Sequence, residues 1–333
     1  MHDLQRYLVE EFAEEYLEGA MPRRDLFRRV LLVTGSAAVT ASALSALGIK
    51  SRAAEAVAPP RPARRVAPAM VAAPGPRVVN DNGTTPPSTS TTDNVVDPND
   101  PAIVAGMVTF GGAAGDLYGY LAYPNDGAVH PGLIVVHENR GLIEPIMDIA
   151  RRYAKEGYAA LAVDLVSRAG GTQRYVDDIA QATGFLGLSD PNDLVSDLLS
   201  GLSWLSQQGA VDASRMGATG FCFGGGLTWR LATAAPNLVA AVPFYGPNPP
   251  LEDVPKINAA VLGIYAELDT RITGASGDLD AALDAAGKTH DKWIAPGANH
   301  AFFNNTNPSS YNPDGAMEAW SRALAWFARF LGQ

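Results

Sequence analysis

The chain has 333 residues, a net charge of −10 and a single cysteine. An acidic chain without a basic stripe is poorly suited to bind nucleic acid, and one cysteine excludes an internal disulfide. The histidines do not combine with that cysteine at a zinc-ligand spacing, so we expect neither a metal ion nor any other cofactor.

The first segment in chain order, residues 1–52, is predicted to carry an export signal. Its paired arginines, Arg23 and Arg24, precede a mildly apolar run from Val30 to Ile49. This pattern resembles a twin-arginine signal, whose partner is the twin-arginine export machinery. The small residues within the run make it a weak membrane span, so we expect an exported protein, periplasmic or extracellular, without a stable span when mature. A retained signal that tethers the protein to the membrane is the alternative.

Two further stretches flank this signal. Residues 1–20 carry apolar side chains at helical spacing and receive no function from the sequence: Leu4, Leu8, Phe12 and Tyr16. Residues 53–101 are rich in Pro, Ala, Thr, Ser and Asn and lack apolar periodicity. Such a composition buries too little surface to offset the entropy of ordering, so a disordered linker is predicted there.

Residues 102–333 read as one α/β domain, because short apolar runs alternate with helical patterns. The predicted strands are "IVAGMVTF", "LYGYLAY", "LIVVH", "AALAVD", "RMGATGF", "VAAVPFY", "AVLGIYA" and "HDKWIA". The last helix is predicted to begin after Asn312, with Pro313 in its first turn. A mostly parallel sheet covered by helices on both faces follows, and active sites in such sheets lie at the carboxyl ends of the strands.

The stretch "ATGFCFGGG" places Cys222 between a predicted strand and a predicted helix. Glycines two positions away on both sides, Gly220 and Gly224, are typical of a nucleophile elbow, in which the central residue is strained and its neighbours must lack bulk. The thiol would lie at a helix N-terminus, where the helix dipole favours the thiolate. The alternative is a buried cysteine in a glycine-rich turn.

A nucleophile of this kind needs a base and an orienting acid, in the chain order nucleophile, acid, histidine. Asp269 follows the strand in "AVLGIYAELD", and His300 follows the next strand in "APGANHAFF". His300 is the predicted base, because the other histidines lie outside the domain, in or near turns, or at a strand end. Asp269 is the predicted acid, with Glu267 as its rival and helix capping as its alternative role.

A third cluster follows the strand in "LIVVHENRGL". The backbone amides of Phe223 and Asn139 are predicted to form an oxyanion hole, in which each donor contributes on the order of 3 kcal/mol. His137 is read as a packing residue at the sheet end. Glu138 is either functional or a solvated loop acid.

In this order, the segments "VVHENRGL", "GFCFGGG", "YAELD" and "NHAFF" resemble the dienelactone hydrolase (carboxymethylenebutenolidase) family. The resemblance implies an α/β-hydrolase fold and a catalytic triad of Cys222, Asp269 and His300. It also implies that Glu138 holds the resting thiol and yields when substrate arrives, which releases a thiolate to attack a lactone carbonyl.

The same family binds an anionic substrate carboxylate with two arginines. The resemblance assigns the first position to Arg168, for which an ion pair with Asp164 or another acid is the alternative. The second position holds Asn304, a departure that puts acidic dienelactones in doubt as substrates.

The sequence therefore predicts a cofactor-free hydrolase that opens a lactone or cleaves a small ester through a cysteinyl acyl-enzyme. A broad-specificity carboxylesterase on the same fold is the alternative within the enzyme class. A non-catalytic binding protein on a hydrolase scaffold is the alternative from another class.

Overall fold

An eight-stranded sheet forms the centre of the protein, which is described by a computed structural model over residues 1–49 and 95–332. The order across the sheet is β1-β2-β4-β3-β5-β6-β7-β8, with β1 and β2 antiparallel, β2 and β4 antiparallel, and the remaining neighbours parallel. The strands are β1 (Ile103–Gly112), β2 (Gly115–Pro124), β3 (His130–Val136), β4 (Ala159–Asp164), β5 (Val211–Phe221), β6 (Ala240–Phe244), β7 (Ala260–Ala266) and β8 (His290–Ala295).

Helices precede the sheet and connect its strands. They are α1 (Asp3–Leu17), α2 (Arg23–Thr34), α3 (Ala37–Ala46), α4 (Glu144–Lys155), α5 (Ile179–Leu188), α6 (Pro191–Leu205), α7 (Phe223–Ala234), α8 (Thr270–Ala285) and α9 (Pro313–Phe327). The side chain of Asn312 accepts a hydrogen bond from the Gly315 amide at 2.9 Å, so α9 begins where the sequence predicted. The alternation of parallel strands with helices confirms the predicted α/β class.

The central strands are buried along their whole length. Every residue of β4 and of β7 is buried, and in β3 only His130 is not. Because neighbouring side chains of a strand point to opposite faces, this burial means that both faces of the sheet are covered. Polar side chains are costly to bury inside such a sheet, so the polar residues of the predicted site follow the carboxyl ends of β3, β5, β7 and β8.

The N-terminal helices pack on this domain. The apolar spacing in residues 1–20 becomes the buried face of α1, in which Leu4, Leu8 and Phe12 are at most 2% exposed. Helix α2 packs against α5, where a Cβ at Gly184 would lie 2.9 Å from Leu32 Cβ. Glycine in α5 thus allows the two helices to approach closely.

The paired arginines of the predicted signal lie in the first turn of α2. Among the described residues, no single helix is long and apolar enough to cross a membrane. Helices α2 and α3 together have sufficient length and apolar composition, but they are bent by 117° relative to each other. Export through the twin-arginine machinery stays a prediction.

The predicted linker, residues 53–101, lies outside the described residues as far as residue 94. Its end is described and is held by α4. The Val96 amide donates to Asp148 Oδ1 at 2.8 Å, and Arg151 Nε donates to the Val96 carbonyl at 2.7 Å. The described end of the predicted linker therefore packs against the domain that was predicted to begin at residue 102.

The turn after β5 has no room for a side chain at Gly224, since a Cβ there would lie 2.4 Å from the carbonyl oxygens of Val136 and His137. We expect Gly224→Ala to lower the free energy of unfolding by about 3 kcal/mol, because backbone must move to relieve the clash. Gly274→Ala is the matched control in an exposed part of α8, with nothing within 4 Å of the new methyl group. It should raise the stability by up to about 1 kcal/mol. Urea unfolding measures the free energy of unfolding of both variants. Equal changes in Gly224→Ala and Gly274→Ala would contradict the steric argument.

Candidate active site

Cys222 lies at the sharp turn between β5 and α7. Its φ of 57° and ψ of −121° are strained for a residue with a side chain. A Cβ at Gly220 would lie 2.4 Å from the carbonyl oxygen of Gly224, so glycine is required at this close approach. The turn places the thiol at the N-terminus of α7, where it is 3% exposed.

A carboxylate and an imidazole meet beyond β7 and β8. Asp269 Oδ2 lies 2.6 Å from Nδ1 of His300, and Asp269 Oδ1 accepts from the Ile272 amide at 3.2 Å. Asp269 thus caps α8 and orients the imidazole at once. With Nδ1 facing a carboxylate, Nε2 of the neutral ring is left as the basic nitrogen. The rival acid, Glu267, accepts a hydrogen bond from the Gly297 amide at 2.6 Å instead.

The two partners shift each other's protonation. Burial alone lowers the pKa of His300, but the hydrogen bond and charge of Asp269, with the charge of Glu11, outweigh it and leave the pKa raised. Burial alone raises the pKa of Asp269, but the hydrogen bond and charge of His300 outweigh it and leave the pKa lowered. The pair therefore favours imidazolium beside carboxylate, which is the state that follows proton uptake from a nucleophile.

Two residues of α1 contact the thiol. The Tyr7 hydroxyl lies 3.1 Å from Cys222 Sγ and 3.3 Å from His300 Nε2, so it stands between the thiol and the imidazole. Both carboxylate oxygens of Glu11 lie 3.5 Å from the same sulfur. Tyr7 and Glu11 are spaced one helical turn apart, which places both on the face of α1 that covers the site.

The surroundings of Cys222 determine how easily its thiol loses a proton. Burial raises the pKa of Cys222 well above its usual range, and the negative charges of Glu11 and Glu138 raise it further. Hydrogen bonds from Tyr7 and from the backbone of Phe223 oppose the rise without cancelling it. The effect of the helix N-terminus, which by itself favours a thiolate, is therefore outweighed in this resting state, because burial beside two carboxylates is the larger effect.

Glu11, Cys222 and His300 also form a potential ligand set in the described part of the chain. One donor atom from each lies within 4.8 Å of the others, and carboxylate, thiolate and imidazole all bind zinc. The Tyr7 hydroxyl occupies the space between the sulfur and the imidazole, however, and the sequence predicts no metal. Cys222 and His300, together with Asp269 on the far side of the imidazole, instead have the arrangement of a nucleophile, a base and an orienting acid.

A family model described as "Dienelactone hydrolase family" matches residues 117–331. The chain belongs to the dienelactone hydrolase family. A Salmonella typhi protein named "Putative carboxymethylenebutenolidase" is 35% identical over 265 residues, which cover 76% of this chain and 97% of that protein. A solved structure of a "Putative Dienelactone Hydrolase" from Klebsiella pneumoniae is 34% identical with a TM-score of 0.64, and the match covers 69% of this chain and 100% of that one.

These similarities confirm the predicted family and the α/β-hydrolase fold. Membership in the dienelactone hydrolase family makes the protein a hydrolase of the lactone and ester class. The alternative of a non-catalytic binding protein is correspondingly disfavoured.

Glu138, the glutamate that the family resemblance assigns to the resting thiol, accepts a hydrogen bond from Asn304 Nδ2 at 3.0 Å. It is 7% exposed, and burial is the main reason that its pKa is raised. The carboxylate within hydrogen-bond distance of Cys222 is that of Glu11. In this structure Glu11 therefore occupies the place predicted for Glu138, which acts on the thiol only through its charge.

The two residues predicted for the oxyanion hole both belong to the surroundings of the thiol, Phe223 directly and Asn139 through Glu11. Phe223 is the first residue of α7, and its backbone interacts with the sulfur. Asn139 follows β3, and its side-chain amide donates to Glu11 Oε1 at 2.9 Å. His137 accepts from the Leu165 amide at 3.1 Å through Nε2, in agreement with a packing role at the sheet end.

Arg168 has a carboxylate partner within the protein. Its Nε and Nη2 donate to the two oxygens of Asp197 at 2.8 and 2.9 Å, and it also contacts Asp193. Asp197 is fully buried. This is the alternative role that the sequence left open, with Asp197 in place of the suggested Asp164. A substrate carboxylate would have to compete with this bidentate pair.

Sequence reasoning missed Tyr7, Glu11 and Tyr245 as site residues. The Tyr245 ring lies 5.1 Å from that of His300, and its φ of 34° is unusual for a side-chain-bearing residue. Its buried hydroxyl has no hydrogen-bond partner among the described residues. The only available signal was the polar pair on an otherwise apolar face of α1, and nothing in the local sequence linked that face to Cys222.

The raised pKa of His300 predicts a pH-dependent effect of Asp269→Asn. The stabilisation from protonated His300 is complete below its unfolded pKa of 6.5 and disappears as the pH rises through the raised folded value. Asp269→Asn should therefore destabilise the protein more at pH 6 than at pH 9. Urea unfolding at both values measures this difference, and an effect that does not change with pH would show that Asp269 acts on His300 only as a neutral hydrogen-bond partner.

Proposed function

We propose that this member of the dienelactone hydrolase family opens a lactone or cleaves a small ester through a cysteinyl acyl-enzyme on Cys222. The observation that carries the proposal is the hydrogen bond of 2.6 Å between Asp269 and His300 beside a thiol held on a strained elbow. Cys222 Sγ and a ring nitrogen of His300 lie within 4.8 Å, so nucleophile and base can meet once the Tyr7 hydroxyl leaves the space between them.

In the first half of the reaction, His300 Nε2 takes the thiol proton and Cys222 Sγ attacks the substrate carbonyl carbon. The amides of Phe223 and Asn139 donate to the oxyanion, at about 3 kcal/mol for each donor. The carbonyl reforms as the bond to the leaving oxygen breaks, and the imidazolium returns its proton to that oxygen. In a lactone the resulting alcohol stays attached to the acyl chain.

In the second half, His300 takes a proton from water, and the hydroxide attacks the thioester carbonyl. The carbon–sulfur bond then breaks, the product leaves as a carboxylic acid, and the thiolate recovers its proton. Asp269 keeps its charge throughout and stabilises the imidazolium in both halves.

The groups around the site favour a neutral substrate. The cavity beside Glu138 is lined mainly by aromatic and aliphatic side chains: Pro145, Ile146, Ile149, Phe221, Tyr245 and Phe303. Arg152 also lines it, but its Nε donates to Asp148 Oδ2 at 2.9 Å, so its charge is already paired within the protein. Asn304, in the position of the second family arginine, contributes no charge, and Arg168 is paired with Asp197. These features support small neutral esters and lactones over acidic dienelactones, as a broad-specificity carboxylesterase would prefer.

Cys222→Ala should abolish turnover of p-nitrophenyl acetate, because the other buried groups of the site offer no comparable nucleophile. In wild type, rapid quenching should trap an acyl group on the peptide that contains Cys222. Mass spectrometry detects the adduct, and thermal unfolding checks that the variant is folded. Turnover retained by a folded Cys222→Ala protein would overturn the mechanism.

Asn304→Arg should shift the preference of the enzyme toward acidic substrates by about tenfold, since one charged hydrogen bond is worth roughly 1.5–3 kcal/mol. The measured quantity is kcat/KM for an acidic lactone relative to that for its neutral methyl ester. Asn307→Arg is the control, because it adds the same charge at an exposed position of the same loop. A ratio that changes equally in both variants would indicate a long-range charge effect rather than a carboxylate subsite.

A further inference from the structure

Helix α1 occupies the position that a substrate needs. The Tyr7 hydroxyl bonds to both the nucleophile and the base, and Glu11 places its carboxylate against the sulfur. Tyr7 is 3% exposed and Glu11 is 7% exposed, so both side chains are enclosed by the site. The space left beside Glu138 is a cavity of about 10 Å³, room for roughly one water molecule.

The Glu11 carboxylate resembles the reaction product in its chemistry. It accepts a hydrogen bond of 2.9 Å from the Asn139 side chain, on the residue whose amide is proposed for the oxyanion hole. A carboxylate next to the nucleophilic sulfur is also the functional group that hydrolysis of an ester releases. Glu11 therefore presents to the nucleophile the same functional group that the acid product carries.

Charged contacts flank this bound face of α1. Glu14 accepts from Arg271 Nε and Nη2 at 3.0 and 3.1 Å, and the same guanidinium lies 4.8 Å from the centre of the Tyr7 ring. Near the other end of the helix, Asp3 is paired with Arg230. Apolar burial between these points, including that of Leu8, completes the attachment.

This helix lies outside residues 117–331, the part of the chain that the family model matches. The domain that supplies Cys222, Asp269 and His300 is thus matched to the family without α1. The covering helix is an additional element placed on a complete set of catalytic groups.

We propose that α1 is an intramolecular competitive inhibitor of this hydrolase. With α1 bound, the nucleophile is covered by Tyr7 and Glu11; with α1 displaced, the site accepts substrate. The inference rests on the proposed function, since it assumes that Cys222 is the nucleophile. Substrate and α1 compete for one site, so the apparent KM equals the intrinsic KM divided by the fraction of molecules in which the site is open, while kcat is unchanged.

The first test weakens the attachment of α1 without touching the catalytic groups. In the full-length protein, Glu14→Ala removes the ion pair with Arg271 and should lower KM for p-nitrophenyl acetate about threefold at unchanged kcat, as expected for a partly exposed pair. The rate at which iodoacetamide alkylates Cys222 should rise by the same factor. Glu18→Ala is the matched control, because it removes an exposed carboxylate at the end of the same helix. It should leave both quantities as in wild type.

A stronger variant, Leu8→Asp, places a charge in the fully buried face of α1 and should raise both kcat/KM and the alkylation rate at least tenfold. If Leu8→Asp does not fold, the comparison of Glu14→Ala with Glu18→Ala tests the inhibitory role by itself.

An unchanged KM and alkylation rate in Glu14→Ala would overturn the inhibitory role, since α1 would then be inert. A loss of activity in Glu14→Ala would also overturn it, since α1 would then be part of the working site. Activity that survives Cys222→Ala would instead refute the proposed function, so the two failures are distinguishable.

Discussion

The strained turn at Cys222 is the constraint on which the rest of the site depends. A side chain at a φ of 57° is held there because β5 and α7 approach each other through Gly220 and Gly224, which have no Cβ to collide with the backbone. The same turn sets the thiol at the edge of the sheet where β7 and β8 deliver Asp269 and His300. Parallel strands bring these distant residues together because their carboxyl ends share one edge.

Burial then determines how the assembled groups behave. The N-terminus of α7 alone would favour a thiolate, but a site closed by α1 and lined by the carboxyl groups of Glu11 and Glu138 raises the pKa of Cys222. Burial by itself lowers the pKa of His300, but the hydrogen bond and charge of Asp269 outweigh it and leave that pKa raised. The resting site thus combines a thiol that burial makes harder to ionise with an imidazole that Asp269 makes more basic.

The N-terminal helices connect this chemistry to a segment that otherwise resembles an export signal. The apolar face of α1 buries Leu4, Leu8 and Phe12, and the polar pair within that face, Tyr7 and Glu11, reaches the thiol. One helix can therefore both stabilise its own docking and close the site. Displacement of such a helix changes substrate access without any change in the catalytic groups themselves.

Local patterns in the sequence determined much of this protein. The eight strands, the elbow at Cys222, the capped start of α9 and the family were all predicted, because period, glycine spacing and motif order are properties of short segments. The order of the triad residues was predicted by the same means. Tertiary structure alone decided that Tyr7 and Glu11 cover Cys222 from more than 200 residues away in the chain. It also decided that Arg168 pairs with Asp197 and that burial raises the pKa of the thiol. These outcomes depend on which surfaces of the protein pack together and on how deeply the groups between them are buried. A local sequence pattern specifies neither the packing partners nor the burial.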